Sequence, residues 1–113
     1  MHELAIATGI VELIQKEVAK RGLSKVTEVA LVVGELTNVV PEALEFCFEV
    51  ASQETAAAGA KLLIETRPIT ARCKACGTEF PVKNYSFICP ACGSRETEQT
   101  GGNELYVDHL IAD

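Results

Sequence analysis

Two pairs of cysteines carry the clearest chemistry in the chain: Cys73-x-x-Cys76, then twelve residues, then Cys89-x-x-Cys92. Each pair can form a tight turn presenting two sulfurs, and two such turns complete the tetrahedral set that a zinc ion takes. Gly77 and Gly93 directly follow the second cysteine of each pair. A backbone with positive φ there can fold back and aim amide N–H groups at the thiolates. Four protein ligands leave no open coordination position for water, so an ion held this way is structural and not hydrolytic. A redox dithiol or an iron–sulfur site would use the same residues; four sulfurs in a tetrahedron suit zinc first, with iron the usual competitor.

His2 and Glu3 offer a different chemistry. A histidine beside a free α-amine can close chelate rings through the amine, the imidazole and the intervening backbone nitrogen. Such a set is planar, which suits nickel(II) or copper(II) and suits zinc poorly, because zinc favours tetrahedra. The bulk of His2 is expected to keep Met1 from being trimmed. Glu3 lies within reach to hydrogen-bond the imidazole or to supply carboxylate charge, as groups behind a ligand often do. Taken alone, a histidine at position two is usually a solvated terminal residue, so this pattern needs other support.

The elements that must position these residues follow from periodicity. Leu4, Ala7, Ile10, Val11, Ile14 and Val18 recur at three and four, which predicts one helical stripe from Leu4 to Lys20, ended by Gly22. Val26 to Val33 is β-branched, with Val29, Leu31 and Val33 in phase, and predicts a strand buried mainly on one face. Pro41 suits the first turn of a second helix, with Leu44, Cys47, Phe48 and Ala51 on its core face and Gly59 as its stop. A short strand is predicted at Lys61 to Thr66, and a last one at about Glu104 to Ile111. Around Pro68 the alternation fades and Gly and Pro gather near the cysteine pairs, so the stretch between is a separate lobe. At roughly 25 to 30 residues it is too small to build its own core, and a metal is expected to hold it folded. Strand–helix–strand favours a parallel crossover, whereas the returning strand can pair antiparallel with its predecessor. The expectation is an α+β fold: a small mixed β-sheet covered by two helices, with an inserted zinc-ribbon-like lobe.

Composition narrows the function. Hydrophobic residues are 48% of the 113 and charged ones 23%, as in a packed globule. No apolar run approaches the ~20 residues of a membrane span, and the N-terminus lacks the basic and apolar stretch of a signal peptide, so a cytoplasmic location is expected. There the cysteines stay reduced and metal binding is their better explanation. The formal net charge of -6 grows more negative with zinc on four thiolates, which disfavours phosphate backbones. With no Trp and 5% aromatic residues, stacking platforms for single strands are few. Cys47 on an apolar helix face is a small hydrophobe, and His109 is most simply a surface or edge-strand residue. Glu12, Glu17, Glu42 and Glu45 lie on solvated helix faces and form no convincing acid–base pair. There is no phosphate loop of Walker type, so any nucleotide hydrolysis must belong to a partner.

Met1-His2-Glu3-Leu4, Val33-Gly34-Glu35-Leu36, Pro41-Glu42-Ala43-Leu44 with Phe46 and Phe48, Gly59-Ala60 before Leu62 and Ile64-Glu65, Cys89-Pro90-Ala91-Cys92-Gly93-Ser94, and Gly102 before Glu104-Leu105 together resemble the HypA family of hydrogenase nickel-insertion accessory proteins. The resemblance runs nearly end to end. It implies a nickel metallochaperone, without catalysis, that hands nickel to the large subunit of a nickel–iron hydrogenase with help from a partner GTPase. It implies a nickel-binding domain at 1–68 and 102–113 and a zinc-binding insert at 69–101. His2 is implied as the side-chain nickel ligand, Met1 as the source of the amine, and Glu3 as an adjoining group giving its backbone nitrogen or tuning the site. Cys73, Cys76, Cys89 and Cys92 are implied as zinc ligands. His109 matches no motif of that family. The resemblance leaves open whether the protein is a monomer or a dimer, and whether urease is served as well.

Two other classes compete. A zinc-ribbon interaction module of transcription or translation machinery would use the same four cysteines, with Arg72, Lys74, Lys83 and Arg95 making the lobe locally more basic. A zinc hydrolase would need a ligand-poor ion with a bound water, and four cysteines argue against it.

Overall fold

The computed structural model describes residues 2–113. In chain order the elements are α1 (Glu3–Arg21), β1 (Val26–Gly34), a 3-10 turn (Glu35–Thr37), α2 (Pro41–Ser52), β2 (Lys61–Arg67), β3 (Thr70–Cys73), β4 (Glu79–Pro81), β5 (Thr97–Gly101) and β6 (Leu105–Ala112). The strands form two three-stranded sheets, ordered β2-β1-β6 and β4-β3-β5. Helices and small sheets together give the α+β class expected from the sequence. Among the described residues, no helix is long and apolar enough to cross a membrane.

The chain divides into two compact units. Among the described residues, the first comprises 2–32, 39–65 and 106–113, and the second comprises 33–38 and 66–105. The stretch 69–101 lies inside the second unit, which also takes the end of β1 and the 3-10 turn.

In the first unit α1 and α2 pack on each other. Ala7, Ile10, Val11 and Ile14 of α1 are buried, as are Leu44, Cys47 and Phe48 of α2 and Val26, Val29 and Leu31 of β1. α1 is bounded by Glu3 in its first turn and by Lys20 and Arg21 in its last, each sign matching the helix dipole. Gly22 ends it at φ 66° with its N–H on the Val18 carbonyl, the left-handed stop that glycine adopts at low cost. The predicted stripe fails at its ends: Leu4 is 50% exposed and Val18 only half-buried. Glu3 is buried in the place Leu4 was expected to take, because its carboxylate accepts the Val40 N–H at 3.2 Å.

Two further expectations need correction. α2 stops at Ser52, seven residues before Gly59, and Ala51 is half-buried while Ser52 is buried. Glu54 takes a left-handed φ of 62°, and the Thr55 hydroxyl donates to the Ser52 carbonyl at 2.6 Å and accepts the Ala57 N–H at 3.1 Å. This local capping turns the chain before the run Ala56–Ala58 can continue a helix. β6 pairs with β1, not with β2. Ser24 N–H donates to the Asp113 carbonyl at the start of β1, and Gly34 N–H donates to the Glu104 carbonyl at its end, so the two run antiparallel. With neighbours on both edges β1 is the middle strand, and its last five residues other than half-buried Ala30 are buried on both faces, Val32 included.

In the second unit β3 is central, antiparallel to β4 with Ala71 opposite Phe80, and to β5 with Cys73 opposite Thr97. Ile69, Ala71, Cys73, Phe80, Val82 and Cys89 form its core, with Leu36 and Phe87 packed against them. The unit therefore has an apolar core, contrary to the expectation from its size, but two of the six core residues are cysteines of the paired motifs and another wall is Leu36. Residues 33–38 join this unit through backbone bonds. Leu36 N–H donates to the Gly102 carbonyl at 2.8 Å, and the Glu35 carboxylate accepts the Ile69 N–H at 2.8 Å. Glycine is required at Gly34, the end of β1, since a Cβ there would lie 2.1 Å from the Gly102 carbonyl oxygen.

Candidate metal centre

The four sulfurs of Cys73, Cys76, Cys89 and Cys92 lie within 4.8 Å of one another. Cys73 and Cys92 are 3.6 Å apart, as are Cys76 and Cys89. Four sulfurs at the Zn–S distance in a regular tetrahedron stand about 3.8 Å apart, so the cluster has the size zinc requires.

The two motifs fold into near-identical turns. In the first, Cys73 N–H donates to the Thr78 carbonyl and Gly77 N–H to the Cys73 carbonyl, both at 2.9 Å. In the second, Cys89 N–H donates to the Ser94 carbonyl at 2.9 Å and Gly93 N–H to the Cys89 carbonyl at 2.8 Å. Gly77 and Gly93 take φ of 77° and 76°, the left-handed values the sequence led us to expect. Their own amides close on carbonyls, however, not on sulfur. The N–H groups aimed at sulfur belong to neighbours: Cys76 N–H points at Cys73 Sγ at 3.4 Å, while Thr78 and Ser94 supply backbone bonds to Cys76 and Cys92. Thr78 and Ser94 were missed, although a hydroxyl residue two places after the second cysteine of both motifs was visible in the sequence.

The electrostatics of the cluster call for a cation. The Thr78 hydroxyl and backbone N–H hold the Cys76 thiol down to about 6, and the Cys76 N–H lowers Cys73 as well. At Cys92 the Ser94 backbone bond pulls the thiol down, yet Cys73, burial, Cys76 and Cys89 together push it up to about 12. Four adjacent sulfurs cannot all ionise unaided, because each thiolate disfavours the next. A divalent cation removes that conflict and deprotonates its ligands outright, so these residues fit a metal. Cys73 and Cys89 are buried while Cys76 and Cys92 are exposed, so such an ion would sit at the unit's edge with two ligands in its core.

At the other candidate site His2 is exposed and precedes the first turn of α1, its carbonyl accepting the Ile6 N–H at 2.9 Å. Its Nε2 lies 3.9 Å from the Glu3 carboxylate. The carboxylate is already committed to Val40, the residue that caps α2 without a side-chain bond of its own. That bond, first, and Glu3's own backbone N–H hold its carboxyl below the ordinary range, against a desolvation that raises it. An anion at the start of α2 is also favoured by the dipole. Glu3 was expected to hydrogen-bond the imidazole or to supply charge; its carboxylate stands within ion-pair reach of the ring, and its bond to Val40 also ties α1 to α2. Met1 lies outside the described residues. His109, exposed on β6, pairs with Asp108 at 2.9 Å and joins no cluster of metal-ligating residues among the described residues. Cys47 is buried in α2.

The family model described as "Hydrogenase/urease nickel incorporation, metallochaperone, hypA" matches residues 1–112. The chain is 43% identical over all of its 113 residues, and all of the relative's, to hydrogenase maturation factor HypA 2 of Bradyrhizobium diazoefficiens. It is 43% identical over 110 residues, 97% of each chain, to hydrogenase maturation factor HypA of Geobacter metallireducens. The solution structure of the Ni metallochaperone HypA from Helicobacter pylori superposes with a TM-score of 0.67 at 23% identity, covering 99% of this chain and 97% of that one. A second HypA solution structure gives a TM-score of 0.75 at 24% identity, covering 99% and 96%.

Proposed function

The chain belongs to the HypA family of hydrogenase and urease nickel-incorporation metallochaperones, and from that membership we propose that it binds nickel(II) at its own N-terminus and delivers it for maturation of nickel–iron hydrogenase. The observation that carries this reading is a family match spanning residues 1–112, so that it includes Met-His-Glu as well as the cysteine pairs. A ribbon module of transcription or translation machinery would need only the second unit, and nothing favours it.

The nickel is cargo. His2 supplies the imidazole, Met1 the amine, and the amides of His2 and Glu3 the remaining nitrogens of a square-planar set. Glu3 is the first residue of α1, and the first N–H groups of a helix have no partner within it. Deprotonating that amide to bind nickel therefore breaks no helical bond, which makes the place suited to loading and release. Zinc is resident: Cys73, Cys76, Cys89 and Cys92 hold it as the structural ion of the second unit. The protein is a cytoplasmic carrier, not an enzyme, and acts with a maturation GTPase and the hydrogenase large subunit; nucleic acid and membrane are not its partners.

Equilibrium dialysis with nickel and zinc on native protein, His2→Ala and a form with one added N-terminal residue tests the assignment. One nickel is expected to be lost in both altered forms while zinc is unchanged; full nickel affinity in both removes the terminal site. Affinity is also expected to fall between pH 7.5 and pH 6, because imidazole and amide nitrogens must be deprotonated to bind.

A further inference from the structure

We propose that Cys92 is a modification site for hydroperoxides: in the zinc-loaded protein its sulfur is oxidised first and closes a disulfide with Cys73 that expels the ion. The proposal rests on the zinc assignment above.

The two cysteine motifs share a sequence pattern but not a reactivity. Bound to zinc, all four sulfurs are thiolates, so exposure and hydrogen bonding decide which of them meets an oxidant first. Cys73 and Cys89 are buried, whereas Cys76 and Cys92 are exposed. Each exposed sulfur receives a backbone bond, from Thr78 and from Ser94 respectively. The motifs part at the hydroxyls. Thr78 Oγ1 lies 3.2 Å from Cys76 Sγ, and toward a thiolate the hydroxyl is the donor. Ser94 Oγ instead accepts the Glu96 N–H at 3.1 Å, and among the described residues no hydrogen bond joins that hydroxyl to Cys92. A donor on a thiolate withdraws charge and makes it a poorer nucleophile, so of the two exposed sulfurs Cys92 keeps the more reactive lone pair. Its partner for the second step is in place, with Cys73 Sγ 3.6 Å away. Cys47, the remaining thiol, is buried and lies outside the four-sulfur cluster.

With hydrogen peroxide as the oxidant the chemistry balances in two steps. The Cys92 thiolate attacks one peroxide oxygen; an S–O bond forms, the O–O bond breaks and hydroxide leaves. The Cys73 thiolate then attacks the sulfenic sulfur; an S–S bond forms, the S–O bond breaks and a second hydroxide leaves. The sulfur pair has lost two electrons, the peroxide has gained them, and two protons from solvent turn both hydroxides into water. Zinc is left with Cys76 and Cys89, too few thiolates for its tetrahedron. A thiol reductant reopens the disulfide by exchange, so the cluster acts as a reversible, peroxide-dependent switch on zinc occupancy.

The test treats the full-length, zinc-loaded, nickel-free protein with one equivalent of hydrogen peroxide in the absence of oxygen. A chromogenic chelator reads zinc release, and mass spectrometry after alkylation of the remaining thiols maps the disulfides. Wild type is compared with Thr78→Val, which removes the hydroxyl, and with Thr78→Ser, which keeps it. Circular dichroism and zinc content before treatment show that each form is folded and loaded. In wild type the Cys73–Cys92 disulfide is expected to exceed Cys76–Cys89 by about threefold or more, since a roughly tenfold loss of basicity costs a thiolate about that much in attack rate. Zinc release is expected to keep step with it. Thr78→Val is expected to bring the two disulfides level, and Thr78→Ser to behave as wild type. Cys76–Cys89 in equal or greater amount in wild type overturns the proposal, as does zinc retained after the disulfide forms. A disulfide pattern unchanged in Thr78→Val overturns it too, and the wild-type ratio decides alone if that variant does not load. Failure of the zinc assignment shows separately, as untreated wild type that holds no zinc, and takes the proposal with it.

Discussion

The start of α1, where we propose that nickel binds, and the four-cysteine cluster are built on opposite principles. The cluster is made by long-range folding: β3 delivers Cys73, a second turn delivers Cys89, and both sulfurs are part of the apolar core. Taking the ion away there means taking a wall out of the unit. At the terminus, His2 is exposed, and the first N–H groups of α1 beside it have no partner within the helix. On the proposed assignment, an ion leaving that place takes no backbone hydrogen bond of the helix with it. If the proposed sites hold, this contrast explains how one small chain could keep one metal and give up another: retention follows from burying ligands, release from leaving them at an edge.

The sharpest way to break this comparison is to take a ligand from the cluster. Cys89→Ser is expected to unfold the second unit, since zinc contributes about 10 to 16 kcal/mol to folds of this kind. Amide NMR signals of residues 66–105 should collapse while those of α1 persist; a well-dispersed spectrum for both would mean the sulfurs are not a structural site. Next in size is Gly34→Ala, whose Cβ would press on the Gly102 carbonyl; a loss of about 1 to 3 kcal/mol or more in chemical denaturation is expected. Glu3→Ala should cost less than Gly34→Ala, while Glu3→Gln, which can still accept the Val40 N–H, should recover most of that loss. Because the folded-state value of Glu3 is lowered, its contribution is present at neutral pH and fades as pH falls below the ordinary value near 4.5. A midpoint of acid unfolding that is identical in wild type and Glu3→Ala would sink that assignment. Smallest of all, His2→Ala should change stability by no more than about 0.5 kcal/mol while abolishing terminal nickel binding.

Much of this was legible in the sequence because it is local. The cysteine spacing, the glycines after each pair, Gly22 as a stop and Pro41 as a start all act within a few residues of themselves. The buried stripe Ala7, Ile10, Val11 and Ile14 was legible for the same reason. What was missed depends on partners far along the chain. Leu4 gave way to Glu3 because of a bond to Val40, and the helix expected to reach Gly59 yielded to the turn at Glu54 and Thr55. β5 is polar throughout and carries no strand pattern; it exists because β3 offers it an edge. The capture of residues 33–38 by the second unit depends on Gly34 meeting Gly102, a contact no periodicity announces.

We propose that the two metals use disjoint ligand sets, sulfur for the one that stays and nitrogen for the one that leaves. X-ray absorption at both metal edges, on full-length protein loaded with one nickel and one zinc, tests it most directly. Four sulfur scatterers around zinc and a planar nitrogen shell with histidine outer scattering around nickel are expected. Sulfur in the nickel shell, or a zinc shell with fewer than four sulfurs, would contradict it.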